Sequence, residues 1–392
     1  MTMQQRGTRE HVIAVLEKAA AEMAEHHRGR HYMFWRQGNE REIDAALANG
    51  PPFDRYRQVW IFTGDGGGAV TQARFGSWAI DRLVSGVRPK EILSIFEAEA
   101  AENIGRYTEV SPLFGVQIDA DCPLAEGLSI EPEREGLFAR LLQANPFQRL
   151  GLPTGTAILR QSYTVVPAYR EQTERNIEAD ASVTSPVWAD REATRRRVRL
   201  ACLLVSGGAV ELPLSILEPK RDACLVAGEG NSAGQPFQAH PLVSFPVLSS
   251  EVGKAFAQLG EFREFDSLAR AIDRLGRARL AVSEVDKALE LGMAAEIALM
   301  HDHRKSNTEI RYKISNRAAW LVGSDPVERA AVFEKMRDLY DARSSAVHTG
   351  SLSSKSKVDL ASADALIARI LSAILALGRF PDWSALTMGG EL

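Results

Sequence analysis

An α+β chain is predicted, a strand-rich mixed N-terminal domain followed by an all-α helical bundle, and three observations predict it. Residues 56 to 225 carry short apolar segments punctuated by turn formers, such as YRQVWIFTGDGGG, PLFGVQI, TAILRQSYTVVP and VRLACLLVSGGAVELPLSIL. Beyond Ser249 the apolar residues recur at helical spacing to the end of the chain. Between the two textures lies AGEGNSAGQPFQAHP, which carries Gly, Ser, Asn, Gln and Pro with little apolar content. The expected organisation is an N-terminal helical segment (1–50), a sensing or recognition domain (51–226), a linker (227–248), the bundle (249–382) and a tail (383–392).

Taken in order, Val12, Ile13, Val15, Leu16, Ala19, Ala20 and Met23 repeat at helical spacing, which predicts a helix over 10–27. A further helix is expected near Lys90 to Ile104. Ser206-Gly207-Gly208, between LACLLV and AVELPL, reads as a hairpin turn. In the C-terminal part, apolar periodicity runs through 251–265, 268–300, 308–322, 326–346 and 358–377, joined by short polar connections, which is the pattern of an antiparallel bundle.

Composition bounds the function. The chain has 392 residues, 45% hydrophobic and 25% charged, with a formal net charge of −4, which argues against a general coat of positive charge for nucleic acid. Any RNA contact is expected to be local. Cys122, Cys202 and Cys224 are too scattered for a disulfide framework or a four-cysteine zinc site and read as small buried apolar residues, which suits a reducing cytoplasm. Glu17 and Lys18 interrupt the N-terminal apolar run, so it does not read as an export signal, and no stretch reads as a membrane span.

The most informative helix starts at Asp325-Pro326-Val327-Glu328. Asp is placed to cap, Pro tolerates the first helical position because its missing N–H has no partner there, and Glu three residues on closes a capping box. Val327, Ala331, Val332, Met336, Leu339 and Tyr340 are expected to face the core, and Gly350 to stop the helix. Near its end stand Arg343, Ser344 and His348. At 100° per residue the arginine and histidine lie about 140° apart, so an unbroken helix does not put them on one face. Either the helix ends near Ser345 and the chain bends the imidazole back, or a second copy completes the site across a two-fold axis.

The strings IDRLGRARLAVSEVDKALELGMAAEIAL (272–299), TEIRYKISNRAAWLVG (308–323) and VFEKMRDLYDARSSAVHTG (332–350) resemble the HEPN superfamily, and within it the Apea-like branch, whose LY-x-x-RS-x-x-VH ending follows an RAA helix. The resemblance covers about a third of the chain, and Ser344 stands where asparagine is commoner. It implies a metal-independent endoribonuclease without cofactors, active as a homodimer through the bundle, often found in toxin–antitoxin or antiphage abortive-infection systems with a phage-derived trigger or an antitoxin as partner. Arg343, Ser344 and His348 would be its catalytic residues. The residue types suit the chemistry: an imidazole exchanges protons near neutrality, and a guanidinium fork holds a phosphate as charge grows on it. The alternative is a non-catalytic dimerisation or RNA- or nucleotide-binding module, with Arg343 solvated and His348 interacting with the helix dipole.

Other residues compete for a role. Tyr340 and Asp341 flank the pair, and Glu296 and Arg317 lie on preceding helices, where packing comes first and site support second. Arg195, Arg196, Arg197 and Arg199 form the strongest basic run, at the start of an expected strand, either as a solvated turn or as an RNA-backbone contact. Glu25, His26, His27 and His31 hold the densest set of metal-ligand types, but Gly29 interrupts the helical spacing and no metal is expected. His301 and His303 read as loop residues. GDGGG at 64–68 lacks the Lys-Ser/Thr ending of a phosphate loop and reads as a strand connection.

Overall fold

The computed structural model describes residues 3–26, 32–57, 59–63, 68–71, 75–134, 155–171, 177–219, 223–225, 230–233, 243–302, 309–353 and 358–389. The fold is α+β. The chain forms two compact units, and neither is continuous in sequence.

The first unit comprises 1–110, 161–192 and 215–234. It contains helices α1 (Met3–His26), α2 (Tyr32–Ala48), α3 (Phe75–Val84) and α4 (Pro89–Glu102), and an antiparallel sheet in the order β2 (Gly68–Thr71), β1 (Val59–Phe62), β7 (Tyr169–Glu171). Trp60 pairs with Val70 on one side and with Arg170 on the other. Leu16, Ile43, Phe62, Phe75 and Phe96 share one core, so the first 50 residues are part of this unit and not a separate segment. Arg9 of α1 holds Glu97 of α4 at 3.0 Å. Gly68 pairs with Phe62, so the glycine-rich stretch joins two antiparallel strands; its residues 64–67 lie outside the described residues.

The second unit comprises 111–160, 193–214 and 235–392. Strands β4 (Cys122–Ala125) and β5 (Leu128–Pro132) pair antiparallel, and β10 (Phe245–Val247) runs parallel to β3 (Gly105–Ile118), Phe245 opposite Val116. Three of the expected linker's residues, Phe245, Pro246 and Val247, therefore belong to a sheet. Gly115 sits in β3 at φ +89, where a Cβ would lie 2.0 Å from the Ala209 carbonyl oxygen, so only glycine fits.

One expected strand is helix. VRLACLLV belongs to α5 (Ile177–Val205), a run of 29 residues, and Ser206–Gly208 follows its end instead of turning a hairpin. Val198, Leu200, Ala201, Cys202 and Leu203 are all fully buried. A segment covered on every side loses the alternation that separates strand from helix, which is why the apolar run misleads.

The bundle follows as α6 (Ser249–Glu261), α7 (Phe265–Leu280), α8 (Glu284–Leu299), α9 (Ile310–Val322), α10 (Pro326–Thr349) and α11 (Leu360–Ala376). The expected 268–300 run is two helices, because Ser283 caps the second by accepting from Asp286 N–H. The C-terminal residues are not all tail: α12 (Trp383–Thr387) buries Trp383. Its indole Nε1–H donates to His301 Nδ1 at 3.2 Å, and the imidazole stacks on Phe380 with centroids 4.0 Å apart.

Burial holds His301 below its ordinary value of 6.5, against the opposing pull of Asp302 and Glu264. Between the lowered native value and the unfolded one, the unfolded chain binds more protons than the native one. The contribution of His301 to stability is therefore complete above about pH 6.5 and is lost as the pH falls through that window. Urea unfolding between pH 7.5 and 5 is expected to show this loss, and His301→Phe to flatten it; an unchanged slope in the variant would remove the imidazole from the explanation.

Candidate active site

Helix α10 starts as its sequence indicates. Asp325 Oδ1 accepts from the backbone N–H of Val327 at 2.8 Å and of Glu328 at 2.9 Å. Glu328 closes the box one residue earlier than expected, on Ser324: it accepts from both the backbone N–H and the hydroxyl of that serine and pairs with Arg369. Those contacts, Ser324 first, bring its carboxyl down to about 2. At the far end Gly350 terminates the helix at φ +65.

The helix is unbroken through Ser345 to Thr349, which overturns a bend that would carry His348 back to Arg343. Val332, Met336, Leu339, Ala342 and Ala346 are buried, and Arg343 falls within their stripe. Val327 and Ala331, expected in it, are exposed: Val327, at 80%, belongs to the capped first turn. His348 lies on the solvent side. Across the arc of about 140° that separates it from Arg343 come Val347, Tyr340 and Ser344 in turn. Tyr340 and Ser344 are half-buried, and Val347 is 52% exposed.

Arg343 reaches its place through a notch in α8. A Cβ on Gly292 would lie 2.4 Å from the arginine Cγ and 2.8 Å from its Cβ, so the two helices approach this closely only because residue 292 has no side chain. One turn further along α8, Glu296 Oε2 accepts from Arg343 Nη2 at 3.1 Å. Burial raises the Glu296 carboxyl above its ordinary value of 4.5, and the arginine opposes that without cancelling it. Among the described residues, Arg343 Nε is sealed from solvent with no hydrogen-bond partner, and its Cζ stands 5.9 Å from the Tyr340 ring centre. Sequence reasoning missed Gly292. Its signal was a lone glycine inside a helical pattern, which commonly marks a close approach.

The remaining candidates have intramolecular work. Arg317 is buried and clamps the Asp302 carboxylate at 2.7 and 3.1 Å while donating to the Leu299 carbonyl, a packing role. Asp341 pairs with Arg311 on the exposed side. The basic run lies on α5 and not at a strand. Arg196 and Arg199 share Asp273 of α7 at 2.9 and 2.7 Å, and Arg195 donates to the Leu212 carbonyl at 3.1 Å. Arg197 lies 4.0 Å above the Phe256 ring, and burial lowers its pKa. The side chains of Glu25, His26, His27, His31 and His303 lie outside the described residues. The three cysteines are buried and unpaired. Among the described residues, no helix is long and apolar enough to cross a membrane.

Compared with known proteins, the chain matches no family model, no curated protein and no solved structure.

Gly292→Ala is expected to destabilise the fold by about 1–3 kcal/mol through overpacking against Arg343, read from urea midpoints. In a double-mutant cycle of Arg343→Met and Glu296→Gln, the coupling is expected near 1 kcal/mol, because both side chains are about a quarter exposed. A Gly292→Ala variant as stable as the parent would contradict the notch.

Proposed function

We propose that the chain is a metal-independent endoribonuclease of the HEPN type, acting as a two-fold dimer in which Arg343 and His348 of two copies surround one scissile phosphodiester. The observation that carries this reading is the end of α10: an unbroken helix displays His348 and Ser344 beside a half-exposed Val347, with Arg343 fixed at the edge of the same arc. Within one protomer the helix holds the pair apart, so the proposed chemistry requires the second chain.

In the proposed reaction His348 takes the proton of the ribose 2′-OH as that oxygen attacks the neighbouring phosphorus. The 5′-oxygen leaves and takes a proton from water, giving a 2′,3′-cyclic phosphate and a 5′-hydroxyl. Arg343 stabilises the charge that grows on the non-bridging oxygens. Glu296 occupies Nη2, and among the described residues Nη1 has no hydrogen-bond partner, which suits a phosphate. Ser344 supplies a hydroxyl to substrate. A place in an antiphage or toxin system, in the cytoplasm, belongs to the same proposal.

The Arg343–Glu296 ion pair favours a second reading, in which the arginine fixes helix packing and the bundle is a non-catalytic dimerisation or RNA- or nucleotide-binding module. Incubation with total RNA in EDTA, followed by end-group analysis, separates the two. Cyclic-phosphate ends are expected from the parent, reduced at least about 100-fold in both Arg343→Ala and His348→Ala, with DNA uncut. No cleavage, or cleavage indifferent to both substitutions, would leave the second reading in place.

A further inference from the structure

A cavity of about 750 Å³ opens on the bundle side of the second unit, within the size range of small-molecule sites. Its walls carry more apolar than polar surface. Ala361, Ala365 and Ala368 present one face of α11, and the room exists because each carries only a methyl group. Phe245 of β10 forms another wall, its ring pressed against Gly207 and Gly208; a Cβ on Gly208 would lie 2.2 Å from a ring carbon. Around the mouth, Val243 is 71% and Val282 92% exposed.

The lining holds three charged residues, and two of them cancel. Arg279 and Asp364 form a pair at 2.9 Å, both largely buried. The same guanidinium donates to the carbonyls of Leu203, Ser206 and Gly208, so it closes the end of α5 and has little left to offer a ligand. Lys287, in the first turn of α8, also lines the cavity, and among the described residues it makes no ion pair. It is the one charged residue of the lining without an ion pair among the described residues.

We propose that this cavity binds a small apolar molecule carrying one anionic group, with the apolar body against the α11 alanines and Phe245 and the anion at Lys287. The inference rests on the cavity alone and stands or falls apart from the nuclease reading. Two probes of similar shape test it on the full-length protein: 1-anilinonaphthalene-8-sulfonate, which carries one negative charge, and N-phenyl-1-naphthylamine, which carries none. Fluorescence titration and calorimetry are expected to give one saturable site for the sulfonate. Lys287→Gln is expected to weaken the sulfonate about ten-fold and to leave the neutral probe within two-fold. Ala365→Trp, which fills the cavity from an exposed helical position, is expected to abolish both. Thermal melts check that the variants fold, and Val282→Asp at the mouth replaces Ala365→Trp should that variant fail. Absence of a saturable site, a sulfonate affinity indifferent to Lys287, or binding that survives the filled cavity would each overturn the proposal.

Discussion

Helix α10 lies as close to α8 as it does because residue 292 has no side chain. That absence lets the aliphatic stem of Arg343 cross the neighbouring helix and bring its guanidinium to Glu296, one turn away. The crossing also sets the rotation of α10 about its own axis. With Arg343 turned inward among Met336, Leu339 and Ala346, the geometry of a helix obliges His348 to face outward and Val347 to lie between them. The site and the core are therefore one constraint. A Cβ at 292 presses on the arginine Cβ and Cγ, atoms too near the backbone to swing aside, so the helices themselves would have to separate.

Charge in the second unit follows a common pattern. Arg196 and Arg199 meet on Asp273 and Arg279 meets Asp364, joining elements distant in sequence, and Arg317 meets Asp302 just before its own helix. Partly buried guanidinium groups suit this work, because their rigid donors satisfy a carboxylate and several carbonyls at once and lose little entropy on doing so. In the basic run, read from sequence as a solvated turn or an RNA-backbone contact, Arg196 and Arg199 pin α5 to α7 through Asp273. Lys287 is the contrast: a cation that lines a cavity and, among the described residues, makes no ion pair.

Local chemistry made much of the bundle legible. Asp325, Pro326 and Gly350 mark both ends of α10 through capping and backbone preference, which act over a few residues and need no knowledge of the fold. The α+β class was legible for the same reason, since the change of apolar spacing beyond Ser249 is local. What failed depended on contacts. LACLLV is apolar throughout because every side of that helix is covered, and the run alone could not distinguish it from a buried strand. The boundaries at 50 and 226 assumed units continuous in sequence, whereas each unit gathers three segments. Residue types at the site were legible and their surroundings were not: Arg343 and His348 stand out in the chain, but that one faces the core follows from Gly292, on a different helix.

The central claim is that the guanidinium of one chain and the imidazole of another act on one phosphate, and mixed dimers test it most directly. Arg343→Ala and His348→Ala proteins, each inactive alone, would be combined so that subunits exchange, and RNA cleavage measured against either protein by itself. Recovery of a substantial part of parental activity is the expected result, because the mixed dimer keeps one intact arginine and one intact histidine on opposite chains. A mixture that has demonstrably exchanged subunits and remains as inactive as its components would contradict the claim.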